Sequence, residues 1–536
     1  MLGILCISGN ASRVVEQMAT KYRSDHTIGE NNIQVMGMDI HNPVFFISAT
    51  FIVAFVMLTI QFPVATNEML GAARSWCLAT FDSFMMISVS AILLFCLALT
   101  VLPVARVRLG GADARPEFSR LSWFSMLFAA GMGIGLMFWG VAEPMTYYTG
   151  TSGTPLSVEP GTPQAADMAM AATLYHWGLH AWAIYAVIAL ALAFFSFNCK
   201  LPLTLRSAFY PLLGERCWGW PGHVIDIFAV LATIFGLATS LGLGASQVNA
   251  GLTMLFGVED GLNTKVAIII FVTFIATLSV VRGLEGGVKV LSNFNMVLAL
   301  ALLVFIVLVS SDVGLFAAVT DTAGNYLANI LPLSNWTGRD DEQWMQDWTV
   351  FYWAWWVSWS PFVGLFIARV SKGRTVREFI TAVLLVPTLV TLVWMSVFGM
   401  NGLYQAQNEI GSLAGGMTSM SLATFQMLES LPISGLTTIV GVVLVLVFFV
   451  TSSDSGSLVI DGITAGGKHD APVPQRIFWA TMQGLLAAAL LYGGGKQALS
   501  ALQAGTVIAG IPFTFILLLV CISLYKGLHA NVREFK

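Results

Sequence analysis

A tight cluster of tryptophans is the feature of this sequence with the most direct chemical meaning. Trp353, Trp355, Trp356 and Trp359 fall within seven residues of an apolar segment. The face of an indole ring carries negative charge density and attracts cations, including cations that have no hydrogen to donate. The cluster therefore indicates a site for a methylated ammonium group, and an interfacial belt of tryptophans is the alternative.

The depth of these tryptophans in a membrane favours the site. If Asp347 marks the water boundary, Trp356 and Trp359 lie about 13 and 18 Å along a helix that rises about 1.5 Å per residue. That depth approaches the middle of a hydrocarbon core about 30 Å thick. Trp344 and Trp348 are nearer the boundary and fit the belt instead.

A second group of aromatic residues occurs in the segment 176–185. Trp182 and Tyr185 are three positions apart, and Trp177 and Tyr185 are about 80° apart on a helix. One helical face thus carries three rings at a depth similar to that of Trp356. Two such faces opposite each other would form an aromatic cage, although each ring taken singly is more typical of core packing.

The composition is that of a polytopic membrane protein. Of 536 residues, 57% are hydrophobic and 10% charged, with a mean hydropathy of +0.78. The six cysteines have no paired spacing, so we predict neither a disulfide framework nor a metal cluster. His176 and His180 have an i,i+4 spacing but no acidic or cysteine partner nearby. We expect no enzyme activity, no organic cofactor and no nucleic-acid partner.

The apolar runs predict an all-α membrane protein with twelve transmembrane helices in a lipid bilayer. Some runs are shorter than the roughly 20 residues that a span needs, so their boundaries are approximate. The predicted spans are 41–63, 85–104, 121–142, 168–197, 227–251, 266–281, 291–310, 348–368, 379–400, 433–451, 477–491 and 507–525.

The distribution of basic residues supports this count and predicts the orientation. Twelve spans place 21 of the 25 Lys and Arg residues on the side that holds both termini, and only Arg74, Lys265, Arg339 and Lys496 on the other. Positively charged loops stay on the cytoplasmic side of a membrane. The N and C termini are therefore predicted to be cytoplasmic.

Glycine and proline occur where four of these spans should be interrupted. The third span contains 131–135 and the eighth, five spans later, contains 360–361; the fifth contains 242–244 and the tenth ends in 451–456. Glycine weakens a helix and proline removes a backbone donor. Matched interruptions in two halves indicate an inverted-repeat transporter, and close helix packing at small residues is the alternative.

Interrupted helices also offer ligands for a coupling ion. Freed carbonyl groups with nearby hydroxyls suit a small hard cation, and free N–H groups at the start of a half-helix suit a carboxylate. We expect Thr451 and Ser452 to supply the hydroxyls. The alternative is that each hydroxyl bonds back to its own helix.

Several segments of this sequence resemble the betaine/choline/carnitine transporter (BCCT) family from about Ile40 to Tyr525. They are GMGIGLMFWGVAEP (131–144), HWGLHAWAIY (176–185), SLGLGASQ (240–247), WAWWVSWSPFVGLFIARVSKGRTVREFI (353–380) and FFVTSSDSGS (448–457). The resemblance implies a LeuT-like core of two inverted five-helix repeats preceded by two extra helices. It also implies a homotrimer in the inner (plasma) membrane of a bacterium.

This architecture divides the chain into a tail, two peripheral helices and two repeats. The expected divisions are a cytoplasmic, disordered tail (1–40), two peripheral helices (41–110), the first five-helix repeat (121–312), a periplasmic loop (313–347), the second repeat (348–525) and a short cytoplasmic tail (526–536). The periplasmic loop is expected to contain an amphipathic helix near Leu315–Leu331.

The resemblance also implies residues that bind the substrate. Carried over by position, the aromatic box would be Trp177, Trp182, Tyr185 and Trp356, with Trp355 and Trp359 along the pathway. The carboxylate end of the substrate would lie at the interruption that contains Met132, Gly133 and Gly135.

Two sodium sites follow from the same carry-over. The principal site would use the carbonyls of Ala129, Met132 and Phe448 with the hydroxyls of Thr451 and Ser452. A second site would involve Thr233 and Phe362. Leu237 stands where the family has another threonine, which weakens the second site and leaves the stoichiometry open.

The resemblance also implies that Gly135 stands at the position where choline carriers of the family have Asp. A zwitterion brings its own carboxylate, so the glycine favours glycine betaine imported with sodium by alternating access. Dimethylsulfoniopropionate, choline and carnitine are alternative substrates. Proton coupling through Glu143 or Asp454 is an alternative mechanism, although both acids fit span ends. If the protein is not a carrier, the alternative is a channel or a membrane sensor.

Overall fold

The computed structural model of the protein describes residues 22–131, 133–282, 288–310, 313–468 and 471–534. These residues are predominantly helical, as the apolar runs predict. The strands are β1 (Asn32–Val35) and β2 (Met38–His41), and the longer α-helices, in chain order, are α1 (Asn42–Gln61), α2 (Pro63–Val101), α3 (Arg120–Gly131), α4 (Ile134–Thr149), α5 (Pro163–Trp177), α6 (Leu179–Ala193), α7 (Trp220–Phe256), α8 (Leu262–Arg282), α9 (Val288–Val309), α10 (Leu315–Ser334), α11 (Phe351–Val370), α12 (Val376–Gln407), α13 (Ala423–Glu429), α14 (Ser434–Thr464), α15 (Val473–Gly494) and α16 (Ala498–Glu534).

Eleven helical stretches in the described part of the chain are long and apolar enough to cross a membrane. The third predicted span is not among them, because it consists of two shorter helices, α3 with 12 residues and α4 with 16. The protein is therefore a multi-pass membrane protein. The count of twelve spans and the inverted repeat stay predictions.

The interruption predicted in the third span is confirmed at Gly133. This residue has extended backbone angles, φ −169° and ψ −174°, and it precedes the first turn of α4. The last turn of α3 and the first turn of α4 each leave backbone groups without partners inside the helix. The two helix ends therefore supply free carbonyl and N–H groups at one place.

The interruption predicted in the eighth span is wrong, since α11 continues through Pro361. Proline removes the N–H that would bond the carbonyl of Val357. The hydroxyl of Ser360 donates to that carbonyl at 2.7 Å instead. A side chain thus replaces the lost backbone donor, and the helix does not break.

The interruptions predicted in the fifth and tenth spans are also wrong, because α7 and α14 are continuous. The glycines there serve close helix packing, which was the alternative interpretation. A Cβ atom on Gly242 would overlap Leu502, and one on Gly456 would overlap Leu237.

A break that the sequence analysis did not anticipate separates α5 from α6 in the fourth span. Gly178 lies between them with φ −103° and ψ −138°. A Cβ atom on Gly178 would lie 2.6 Å from the carbonyl oxygen of Leu174 and 3.2 Å from the Tyr326 hydroxyl oxygen. A π-helical segment, Met345–Val350, precedes α11.

The described residues before α1 differ from the disordered tail that the sequence analysis expects. β1 and β2 form an antiparallel hairpin in which Ile33 pairs with Ile40. The Asn32 side chain donates to the carbonyl of Ala465 at 2.8 Å, and Lys468 forms an ion pair with Asp39. Polar contacts with the loop after α14 thus hold the hairpin in place, and residues 1–21 of the expected tail lie outside the described residues.

The helices that carry the two aromatic groups pack against each other. α6 lies against α11, and α7 lies against α14. α2 packs on α16 and α6 at the side of this core. The amphipathic helix expected near Leu315–Leu331 is present as α10, with Tyr326 buried and Phe316 and Leu331 exposed.

Candidate functional site: a central aromatic cavity

A cavity of about 300 Å³ lies between the α3–α4 break and helices α11 and α14. Its wall contains most of the residues that the sequence analysis singled out for substrate and ion. These are Ala129, Gly133, Gly135, Trp177, Tyr185, Trp355, Trp356, Trp359, Phe362, Phe448, Thr451 and Ser452. Met132, which was expected to contact both substrate and sodium, is outside the described residues.

The four rings of the expected aromatic box lie together, with Trp356 at their centre. Its ring centroid is 5.5 Å from that of Trp177, 5.9 Å from that of Trp182 and 5.0 Å from that of Tyr185. Trp182 does not line the cavity; it lies behind the wall and contacts Tyr185 at 5.4 Å. The box therefore has three rings at the cavity surface and one that supports them.

The two pathway tryptophans flank this box along α11. Trp355 stacks on Phe351 with a centroid distance of 5.7 Å and meets Trp177 edge-on at 6.1 Å. Trp359 packs against Phe362 at 5.4 Å. The cavity wall thus contains several aromatic rings, whose π faces attract an onium group without hydrogen bonds.

Gly135 is needed for two indoles to approach the backbone. A Cβ atom there would overlap Trp177 and would lie 3.3 Å from Trp355. Gly133 has open space around it, and Ile134 begins α4. The free N–H groups of the first turn of α4 are therefore next to the rings, in a position suited to a carboxylate.

The residues expected at the principal sodium site meet at the cavity, apart from Met132. Ala129 lies in the last turn of α3, where carbonyls have no partner inside the helix. Phe448, Thr451 and Ser452 belong to the continuous helix α14. The Thr451 hydroxyl donates to the carbonyl of Val447 at 2.9 Å, which is the back-bonding alternative.

The second sodium site receives less support from the geometry. The Thr233 hydroxyl donates to the Ala229 carbonyl at 2.7 Å, and Thr233 does not line the cavity. Phe362 does line it. Leu237 packs against Gly456 of α14 and so fills the space between the two helices.

A group of buried aromatic residues lies near the start of α11. Trp344 and Trp348 are 3% and 5% exposed, so the interpretation of them as an interfacial belt is wrong. Both pack against Tyr147, with ring centroids 5.1 and 5.0 Å away. Three buried rings therefore pack together near the start of α11 at Phe351.

The cavity has partly exposed residues at the later turns of α11 and α14. Phe366 and Ser455, on the later turns of α11 and α14, and Ser292, on the first turns of α9, all line it. Phe366 is 37% exposed, and Thr451 and Ser452 are half-buried. By the distribution of basic residues, this is the side predicted to face the cytoplasm.

Sequence reasoning missed the polar centre beside the box. Glu143 is fully buried and accepts hydrogen bonds from Trp177 Nε1 at 2.8 Å, His176 Nδ1 at 2.7 Å and the Tyr147 hydroxyl at 3.0 Å. The Tyr352 hydroxyl also donates to it. The i,i+4 spacing of Glu143 and Tyr147 was the available signal, but partners on other helices were needed to see the cluster.

A cavity lined by indoles at a helix break is consistent with what the resemblance implied. A comparison with known protein families shows which family the chain belongs to. The model of the betaine/carnitine/choline family transporters matches residues 43–533. The chain belongs to the BCCT family. Its homologues are named transporters, and the chain is accordingly a transporter and not an enzyme.

Curated relatives of this BCCT protein are similar along nearly their whole length. A glycine betaine/proline/choline/ectoine transporter of Vibrio parahaemolyticus is 57% identical over 515 residues, 96% of this chain and 92% of the relative. Glycine betaine transporter 1 of the same bacterium is 57% identical over 510 residues, covering 95% and 97%. A glycine betaine transporter of Bacillus subtilis is 42% identical over 496 residues, covering 92% and 95%.

Proposed function

We propose that the protein is a sodium symporter that imports glycine betaine, or a related methylated onium zwitterion, by alternating access. The single observation that carries this proposal is the contact of Trp356 with Trp177, Trp182 and Tyr185 beside the start of α4. Rings attract the onium head, and the free N–H groups of α4 attract the carboxylate. The names of the relatives support betaine as the substrate.

Sodium is proposed to bind where α3 ends against α14. The ligands would be the carbonyls of Ala129, Met132 and Phe448 with the hydroxyls of Thr451 and Ser452. Support comes from the position of Ala129 in the last turn of α3, and of the α14 residues on the same cavity wall. Oxygen ligands of this kind suit a small hard cation.

Alternating access is supported by the unequal ends of the cavity. The rings of Tyr147, Trp344 and Trp348 pack together near the start of α11, while Phe366 and Ser455 line the cavity at the later turns of α11 and α14. With the termini in the cytoplasm of a bacterium, this conformation faces inward. An outward-facing state requires those three rings to separate and the other end to close.

Uptake into proteoliposomes tests the proposed function. Radiolabelled betaine should accumulate against its gradient when sodium is present outside, and accumulation should stop when sodium is replaced by potassium. Accumulation that follows an imposed proton gradient without sodium would favour proton coupling, for which Asp454, 2% exposed, is a candidate. Equilibration without accumulation would indicate a channel, and absence of binding and uptake would contradict the proposal.

Competition defines the substrate. Dimethylsulfoniopropionate, choline and carnitine are the alternatives from the aromatic chemistry, and proline and ectoine join them because a relative is named for both. Betaine should compete best, since Gly135 leaves no carboxylate to pair with a net cation such as choline. Stronger competition by choline than by betaine would contradict this preference.

A further inference from the structure

Glu143 has four hydrogen-bond donors and no exposed surface, which is an unusual environment for a carboxylate in a membrane protein. Trp177 Nε1 and the Tyr352 hydroxyl donate to Oε2, while His176 Nδ1 and the Tyr147 hydroxyl donate to Oε1. Two donors on each oxygen saturate the group. The donors come from α4, α5 and α11, so one side chain ties three helices together.

Trp177 differs from the other tryptophans around the cavity in this respect. Its N–H has a charged acceptor at 2.8 Å. The other indole N–H groups around the cavity have no hydrogen-bond partner in the described part of the chain; they are those of Trp182, Trp355, Trp356 and Trp359. A hydrogen bond to a carboxylate is thus specific to one ring of the box.

The backbone alone does not hold Trp177 in its orientation. It is the last residue of α5, and the break at Gly178 follows it directly. The far edge of its ring lies against Gly135, and its plane makes an angle of 80° with that of Trp356. The bond to Glu143 therefore supplies a polar anchor for a ring whose contacts with Gly135, Trp355 and Trp356 are apolar.

We propose that Glu143 is a positioning residue for substrate recognition, because it orients Trp177 and polarises its indole toward the onium group. When an indole N–H donates a hydrogen bond to a carboxylate, the negative charge shifts electron density into the ring. This polarisation is stronger in a low dielectric. A more negative ring face binds a cation more strongly. The carboxylate thus acts on the substrate through Trp177 and does not contact it.

Glu143 also forms hydrogen bonds with His176 and Tyr352, which lie near the start of α11. His176 Nε2 lies 2.9 Å from the Thr349 hydroxyl in the π-helical segment, and its ring stacks on Tyr352 with a centroid distance of 4.6 Å. Glu143 thereby connects Trp177 to the π-helical segment that precedes α11.

A double-mutant cycle tests the inference, which rests on the proposed function. Glu143→Gln keeps the shape but replaces one acceptor oxygen with an NH₂ donor, and Trp177→Phe keeps an aromatic ring but removes the N–H. Each should raise the betaine concentration for half-maximal uptake about tenfold, in the range expected for a hydrogen bond to a charged group. The maximal rate and the sodium requirement should change little.

The combined variant decides between positioning and independent roles. If Glu143 acts through Trp177, Glu143→Gln with Trp177→Phe should be no weaker than Trp177→Phe alone. Effects that multiply would overturn the inference. Glu117→Gln, which removes an exposed carboxylate paired with Lys372, is the matched control and should behave as wild type.

Two measurements keep the outcome unambiguous. Betaine binding to purified Glu143→Gln, followed by tryptophan fluorescence, reports affinity even if that variant transports slowly. Trp177→Phe alone would overturn the inference if its half-maximal concentration equals that of wild type. A wild-type protein that neither binds nor transports an onium zwitterion would instead contradict the proposed function, which is a different result.

Discussion

At the scale of single residues, Trp356 is the ring on which the aromatic box depends. It contacts Trp177, Trp182 and Tyr185, so its removal leaves the other rings without a common neighbour. We expect Trp356→Ala to weaken betaine binding by about two- to thirtyfold, since each cation–π contact contributes about 0.5–2 kcal/mol. Titration of the purified variant with betaine, followed by fluorescence, measures this loss.

The control for that variant is another tryptophan of the same protein. Trp76 is 62% exposed on α2, away from the cavity wall. Trp76→Ala should bind betaine with wild-type affinity. Wild-type affinity in Trp356→Ala would show that the aromatic box does not contribute to betaine binding.

Gly135 is the second residue whose size matters directly. A methyl group there overlaps Trp177 and presses on Trp355, so Gly135→Ala must displace a ring. We expect betaine uptake in this variant to need at least about tenfold more substrate for half-maximal rate. Gly324→Ala, in α10 with open space around it, is the control and should transport normally. Normal uptake by Gly135→Ala would show that the rings can move freely.

Ser452 should report on the sodium site independently of the substrate. Ser452→Ala removes an expected ligand from α14, and we expect the sodium concentration for half-maximal uptake to rise about tenfold, as for loss of one polar contact to a charge. Ser246→Ala, whose hydroxyl bonds back to Gly242 in α7, is the control. An unchanged sodium requirement in Ser452→Ala would exclude this hydroxyl from the site.

At the scale of elements, the hairpin before α1 should respond to pH. Burial, with the charge of Arg206 and the ring of His223 nearby, lowers the pKa of His41 from 6.5 to about 3. Arg206 Nη1 lies 3.3 Å from His41 Nε2, and Arg206 is itself paired with Asp226. A proton on His41 would place two positive charges side by side.

The sign of this effect follows from proton linkage. The unfolded segment binds a proton near pH 6.5 and the docked segment only near pH 3, so docking weakens as pH falls below 6.5. Hydrogen exchange of the amides of Asn32–His41 should therefore be faster at pH 5 than at pH 7, after correction for intrinsic rates. Equal protection at both pH values would contradict the neutral state of His41.

At the scale of the whole molecule, sodium coupling predicts a dependence on membrane voltage. A zwitterion carries no net charge, so only the sodium ions sense the potential. Each is driven by about 2.3 kcal/mol per 100 mV, or about fiftyfold accumulation. An inside-negative potassium diffusion potential should therefore raise betaine accumulation in proteoliposomes. Accumulation that does not change with the potential would contradict net charge movement with the substrate.

The amino-acid sequence by itself determined the helical membrane class and indicated two groups of aromatic residues, in segments 176–185 and 353–359. Apolar length and helix periodicity suffice for that, because both are local properties. The resemblance then indicated Ala129, Phe448, Thr451 and Ser452, and the structure places them on the wall of the same cavity.

Only the tertiary structure decided which small residues interrupt a helix. Gly133 and Gly178 lie at breaks, whereas Gly242 and Gly456 pack against leucines of neighbouring helices, and a serine hydroxyl keeps α11 intact at Pro361. Each outcome depends on what the adjacent helix or side chain supplies. Periodicity along one chain segment does not contain that information.

Local periodicity also could not show the environment of Glu143. The sequence analysis therefore predicts this acid at the end of a span, whereas the structure shows it buried beside the box. A buried carboxylate is stable only when donors surround it, and three of its donors here come from two other helices, α5 and α11. The local sequence shows that an acid is present at position 143. Only the packing of α4, α5 and α11 shows which side chains donate hydrogen bonds to it.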